Sequence, residues 1–161
     1  MDFGRTVRHL FAPPGWVRWV FPRAAMTAIE QAIAASEKRH GGEIRFVVEA
    51  ALDRILTGQS ARERALEVFS LLRLWDTADR NGVLIYLLLA DRDIEIVADR
   101  GVKVPAQEWE AICRTMESAL RRGEFRQAAL EGIGAVSRLL EREFPPRSGD
   151  RNELPDRPVT L

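Results

Sequence analysis

Between Val83 and Ala90 the chain reads Val-Leu-Ile-Tyr-Leu-Leu-Leu-Ala, a short run with no charge and no break. Such a segment fits a central strand covered on both faces, and covering both faces of a sheet requires helices on each side. Its flanks are the opposite in character. Asp76, Asp79 and Asn81 precede it, and Asp91, Asp93 and Asp99 follow it, all within Asp76–Gly101.

The rest of the chain supplies the layers. Pro22 suits a first helical turn, and Ala25, Met26, Ile29, Ile33 and Ser36 recur at helical spacing until Gly41-Gly42. Glu43–Glu49 alternates, with Ile44, Phe46 and Val48 on one face, which predicts a strand. Ser60 and Glu63 form a capping box for a helix whose expected buried stripe is Leu66, Phe69, Leu72 and Trp75. The polar loop Asp76–Gly82 ends in an Asn-Gly pair able to supply positive φ. After the apolar strand, Asp91-Arg92 turns tightly into a second strand, Asp93–Asp99. Two helices close the pattern, one through Trp109, Ile112, Cys113, Met116 and Leu120, the other through Phe125, Ala129, Ile133, Val136 and Leu140. A strand–helix–strand unit makes Glu43–Glu49 and Val83–Ala90 parallel and right-handed, and the tight turn makes the next strand antiparallel. The expected fold is therefore an α/β/α sandwich, a small mixed β-sheet flanked by helices. It occupies residues 23–144, between a basic-aromatic arm (1–22) and a Pro-rich tail (145–161) read as an extended strap or a mobile end.

Charge narrows the partners. Lys+Arg and Asp+Glu are equal at 24 each, so no global field draws nucleic acid or an anionic membrane. The domain proper also lacks a basic stripe with interleaved aromatics. The arm is the local exception: through Met26, Arg5, Arg8, Arg18 and Arg23 stand against Asp2 alone, among Leu10, Phe11, Trp16 and Trp19. It is expected to cover the core, to dock on an unknown protein partner, or to make peripheral membrane contact. No window reaches the roughly 18 apolar residues of a transmembrane helix, and Arg8, His9 and Pro13-Pro14-Gly15 interrupt any signal-peptide core. Cys113 is the sole cysteine, which rules out an internal disulfide and fits a reducing compartment; the expected location is cytoplasmic.

No phosphate-binding Gly-rich loop occurs, and Gly132-Ile133-Gly134 lies inside a helix. No Gly-x-Ser-x-Gly elbow exists, and His9 and His40, the only histidines, fall outside the expected core, so a His-based triad or zinc site has little to work with. Carboxylates remain. The loop before the central strand offers the oxygens that a hard cation takes, although an EF-hand register would put Thr77 first and Leu88 where a bidentate Glu belongs. The same residues equally well end a helix and begin a turn. Leu89-Ala90-Asp91-Arg92-Asp93 imitates an aspartyl phosphatase motif, but the chain re-enters a strand at Ile94, so Asp91-Arg92 reads as a hairpin turn. Arg92 and Arg100 suit either an anionic ligand or ion pairs with these aspartates. Strand polarity sorts the acids: Asp79 and Asn81 precede the strand, Asp91 follows it, and Asp99 returns beside the first two. The expected site therefore joins Asp76, Asp79, Asn81 and Asp99, with Asp91 the turn opposite.

Three runs carry a family resemblance: Asp79-Arg80-Asn81-Gly82-Val83-Leu84-Ile85, then Ala90-Asp91-Arg92, then Ile94-Glu95-Ile96-Val97-Ala98-Asp99-Arg100-Gly101. In this order they resemble the heart of the TPM domain, whose family includes thylakoid proteins and many bacterial membrane-associated proteins. The resemblance extends from about Ala25 to Phe144 and implies an α/β/α sandwich. It also implies calcium binding or acid phosphatase activity, each attributed to some members, at an acidic crevice by the sheet. By position the implied ligands are Asp76, Asp79, Asn81, Asp91 and Asp99, with Glu43 at the start of the first strand. The expected function is an accessory domain binding calcium, another divalent cation or a small ligand. A metal-assisted phosphatase and a docking module using the arm are the alternatives.

Overall fold

The structure is a computed structural model describing residues 3–52, 58–149 and 151–161; Met1 and Asp2 of the arm lie outside the described residues. In chain order the elements are α1 (Phe3–Leu10), α2 (Trp16–Val20), α3 (Arg23–Glu37), β1 (Glu43–Glu49), α4 (Ala61–Leu71), β2 (Gly82–Leu88), β3 (Asp93–Ala98), α5 (Ala106–Arg121), α6 (Phe125–Glu143) and β4 (Val159–Thr160). The sheet order is β3-β2-β1-β4. β1 and β2 are parallel, β2 and β3 antiparallel, and every residue of β1 and β2 is buried.

The pleat divides the core in two. Ile44, Phe46, Val48, Val83, Ile85 and Leu87 belong to the larger layer with α3, α5 and α6. Val47, Leu84, Tyr86, Leu88 and Val97 belong to a smaller one under α4. Helices on both faces are what the apolar β2 requires, and the fold is an α/β/α sandwich.

Three expectations need correction. α4 has the predicted capping box, Glu63 N–H to Ser60 Oγ at 3.1 Å and Ser60 N–H to Glu63 Oε2 at 2.8 Å. Yet its buried residues are Ala61, Ala65, Val68 and Phe69, while Leu66 (46% exposed) and Trp75 (51%) face outward and Leu72 is half-buried. The cause is polar. Arg64 reaches the buried Glu49 through two bonds of 2.9 and 3.0 Å, Tyr86 Oη donates to the same carboxylate at 2.6 Å, and the small Ala61 and Ala65 let the helix sit close enough to do so. Second, His9 and His40 are both buried, because each finds a hydrogen-bond partner inside. Third, positive φ falls on Arg80 and not on Asn81 or Gly82.

The tail lies along β1. β4 pairs parallel with it, Val47 opposite Val159, and Arg45 donates to the carbonyls of Pro155 and Arg157. An exposed strand edge is thereby covered. The arm enters the core at Phe21, whose ring meets Phe46 and Phe125 edge-on, each at 6.2 Å between centroids.

Candidate functional site

One end of the sheet gathers the starts of β1 and β2 and the finish of β3. The preceding turn is built locally: Arg80 N–H donates to Thr77 O at 3.3 Å and Asn81 N–H to Thr77 Oγ1 at 3.1 Å. Two glycines give the space. A Cβ on Gly82 would collide with the Leu74 carbonyl, and one on Gly101 with the carbonyls of Asp79 and Arg80. Asp99 N–H donates to Gly82 O and Gly101 N–H to Arg80 O, both at 2.9 Å, so the Asp99–Gly101 segment is pressed against the Asp79–Gly82 loop.

The side chains there have different environments. Asp76 pairs with Arg73 at 2.9 Å on the surface, and Asp79 lies 3.6 Å from Arg147, half exposed. Asn81 is buried; its Nδ2 donates to Gly41 O, and its Oδ1 has no hydrogen-bond partner. Asp99 Oδ1 accepts the Arg100 N–H at 2.7 Å, while Oδ2 is buried and also has none. Arg100 is exposed and contributes its backbone here. Glu43 serves the tail, accepting N–H bonds from Glu153 and Leu154, each at 3.0 Å. Burial raises its pKa, against the pull of those two bonds. Among the described residues no three His, Cys, Asp or Glu side chains form a group that could hold a metal ion.

Asp91 stands at the opposite end. Its carboxylate meets Arg5 at 2.8 Å, His9 Nε2 at 3.1 Å and Arg8 at 3.5 Å, so its ion partners come from α1 and not from Arg92. His9 Nδ1 accepts the Leu52 N–H at 2.8 Å, which leaves Nε2 to carry the proton towards Asp91. Burial raises the Asp91 pKa, but the bonds from Arg5 and His9 outweigh it and hold the group below its usual range.

Two polar hollows were not expected. The first, 440 Å³, is lined by Glu37, His40, Glu43, Arg147 and Asp156 among others. Burial pushes Glu37 up to about 9, opposed by the Ile44 N–H and reinforced by Glu43 and Asp156. The available signal was an acid directly after the buried row Ile29, Ile33 and Ser36, just before a Gly-Gly turn that folds the chain back. The second hollow, 500 Å³, runs beside β3 among Asp93, Glu95, Glu117, Cys113 and Arg62. Burial and then Glu95 push Asp93 up to about 6. Burial and then Glu95 also push the Cys113 thiol up to about 12, which leaves it protonated and unreactive at neutral pH.

A mixed four-stranded sheet between helical layers, with an Asp-Arg-Asn-Gly loop at one end and an Asp-Arg turn at the other, defines a class of α/β/α domain. The family model of the TPM domain matches residues 18–139, and the chain belongs to that family. The BA42 protein of the psychrophilic bacterium Bizionia argentinensis is 29% identical, with a TM-score of 0.77 over 86% of this chain and 93% of that one. The N-terminal domain of a P. gingivalis protein shares the fold at 18% identity, with a TM-score of 0.64 over 80% of this chain and 82% of that one. The N-terminal domain of the cg2496 protein from Corynebacterium glutamicum shares it at 16%, with a TM-score of 0.55 over 81% and 78%. No curated protein matches the chain.

Proposed function

We propose that this TPM domain is an accessory module that binds a divalent cation, calcium foremost, across the end of the sheet formed by Asp79, Asn81 and Asp99. The observation that carries the reading is a pair of buried oxygens, Asn81 Oδ1 and Asp99 Oδ2, without a donor on two segments that hydrogen-bond to each other. A buried acceptor without a partner costs about 1–3 kcal/mol, so each of the two favours an electropositive partner. On the pleat, Asn81 continues the row of Val83 and Ile85, and Asp99 continues the row of Val97. The two side chains thus leave the hairpin on opposite faces, and a cation shared by both would have to sit beyond the strand ends.

The donors are all oxygens, which suits calcium, and backbone carbonyls help to fill the roughly six to eight positions it takes. Asp76 and Asp79 can join by leaving exposed arginine pairs, each worth only about 0–1 kcal/mol.

Thermal melts with calcium chloride test the reading. Near-saturating calcium adds about 2.7 kcal/mol and raises the melting temperature by about 5–10 °C. Asp99→Asn, which keeps the bond to Arg100, removes that rise, and Asp91→Asn at the far end leaves it. A flat response, or a rise that survives Asp99→Asn, contradicts the proposal.

A further inference from the structure

The N-terminal helices hold large apolar side chains in solvent: Trp19 is 81% exposed, Phe11 75%, Leu10 46% and Val7 37%. The helices themselves are firmly held. α1 is clamped by Arg5 and His9 on Asp91 and by the Leu52 N–H on His9. α2 is held by the buried Val17 and by Phe21 at its end. The inner side is fixed, and the outer side is presented.

That outer side has a pattern. Val7, Leu10 and Phe11 follow i, i+3, i+4 spacing, and the Phe11 N–H still donates to Val7 O at 3.1 Å, so they form one stripe on α1. No acid occurs from Phe3 to Ile29, while Arg8, Arg18 and Arg23 are exposed. Asp91, the acid that meets α1, is already shared by Arg5, Arg8 and His9. Beside Trp19 an open groove of 670 Å³ runs along Val20, Pro22, Phe125 and Leu130, with Arg126, Glu131 and the Arg122-paired Glu124 at its far side. The exposed apolar patch on α4 differs, because there the Arg73 guanidinium lies over Trp75 at 5.6 Å.

We propose that the outer side of α1 and α2 docks on an anionic lipid bilayer, with Phe11 and Trp19 entering the interface and Arg8, Arg18 and Arg23 meeting headgroup phosphates. Charge decides the occupant. Aromatics among basic residues match anionic headgroups lying over acyl carbon, and arginine stems can follow the aromatics inward. The basic charge of the helices themselves, with no acid from Phe3 to Ile29, disfavours pairing of two copies helix against helix. No helix among the described residues is long and apolar enough to cross a membrane, so the contact is peripheral.

Co-sedimentation of the full chain with vesicles in the presence of a chelator tests this, and it can fail or succeed independently of cation binding. The protein pellets with phosphatidylcholine vesicles carrying about a third phosphatidylglycerol, stays in solution with phosphatidylcholine alone, and dissociates as salt rises. Trp19→Ser and Phe11→Ser each weaken binding about tenfold. Arg18→Glu weakens it comparably, with a native amide spectrum. Failure to pellet with anionic vesicles, equal pelleting on both vesicle types, or unchanged binding by Trp19→Ser overturns the proposal. So does a concentration-dependent dimer abolished by Trp19→Ser without vesicle binding, which would assign the surface to a second copy.

Discussion

Glu37 shows how a single residue can set the pH response of the domain. Its Oε1 accepts the Ile44 N–H at 2.8 Å, and its carboxyl is pushed up from 4.5 to about 9, chiefly by burial. At neutral pH the native state therefore keeps a proton that the unfolded chain has released. Stability then falls as pH rises from the unfolded value towards the native one. Glu43 is raised as well and adds to the same slope. Glu37→Gln keeps the acceptor for Ile44 and removes the ionisation. The variant is expected to be more stable than wild type by about 1–3 kcal/mol at around pH 8, with a flatter profile between about pH 5 and 9. Melts across that range check it, and a wild-type slope in the variant would contradict it. Burial of this kind was illegible in the sequence. Whether Glu37, His9 or His40 lies inside depends on one or two partners, and each has among them a backbone group (Ile44 N–H, Leu52 N–H, Gly42 O) that no side-chain pattern encodes.

At the scale of elements, the strap shows the same division. Periodicity made β1, β3 and the long helices legible, and an unbroken apolar run did the same for β2, although β1 proves buried on both faces. Residues 145–161 have no period, and their docking runs through main-chain groups: the Glu153 and Leu154 N–H bonds to Glu43, and the Pro155 and Arg157 carbonyls on Arg45. α4 departs from its expected buried stripe for a related reason. Ala61 and Ala65 carry little weight in a hydrophobic pattern, although they let Arg64 reach Glu49. Removing the Glu43 carboxylate tests the strap directly. Glu43→Ala should cost about 1–3 kcal/mol by leaving two N–H groups without an acceptor. Amide exchange should quicken at Glu153, Leu154 and Leu161, with β2 and β3 unchanged. Unaltered protection along the strap would mean that Arg45 and β4 hold it alone.

The whole molecule has two unlike ends joined by one apolar strand. At the β2–β3 turn, Asp91 ties α1 to the sheet through Arg5 and His9. At the other end, Asp99 lies against the Asp79–Gly82 loop, and the two buried oxygens stand without donors. Strand polarity alone was enough to separate Asp91 from Asp99, since a hairpin returns its last residue to its starting end. The burial of Asn81 and the turning of Asp76 and Asp79 towards arginines depended on packing that polarity does not specify. A calcium titration followed by amide NMR tests the central claim most directly. The account predicts saturable shifts confined to Asp76–Gly82 and Asp99–Gly101, with Asp91–Asp93 still. A silent loop, or shifts centred on Asp91, would contradict it.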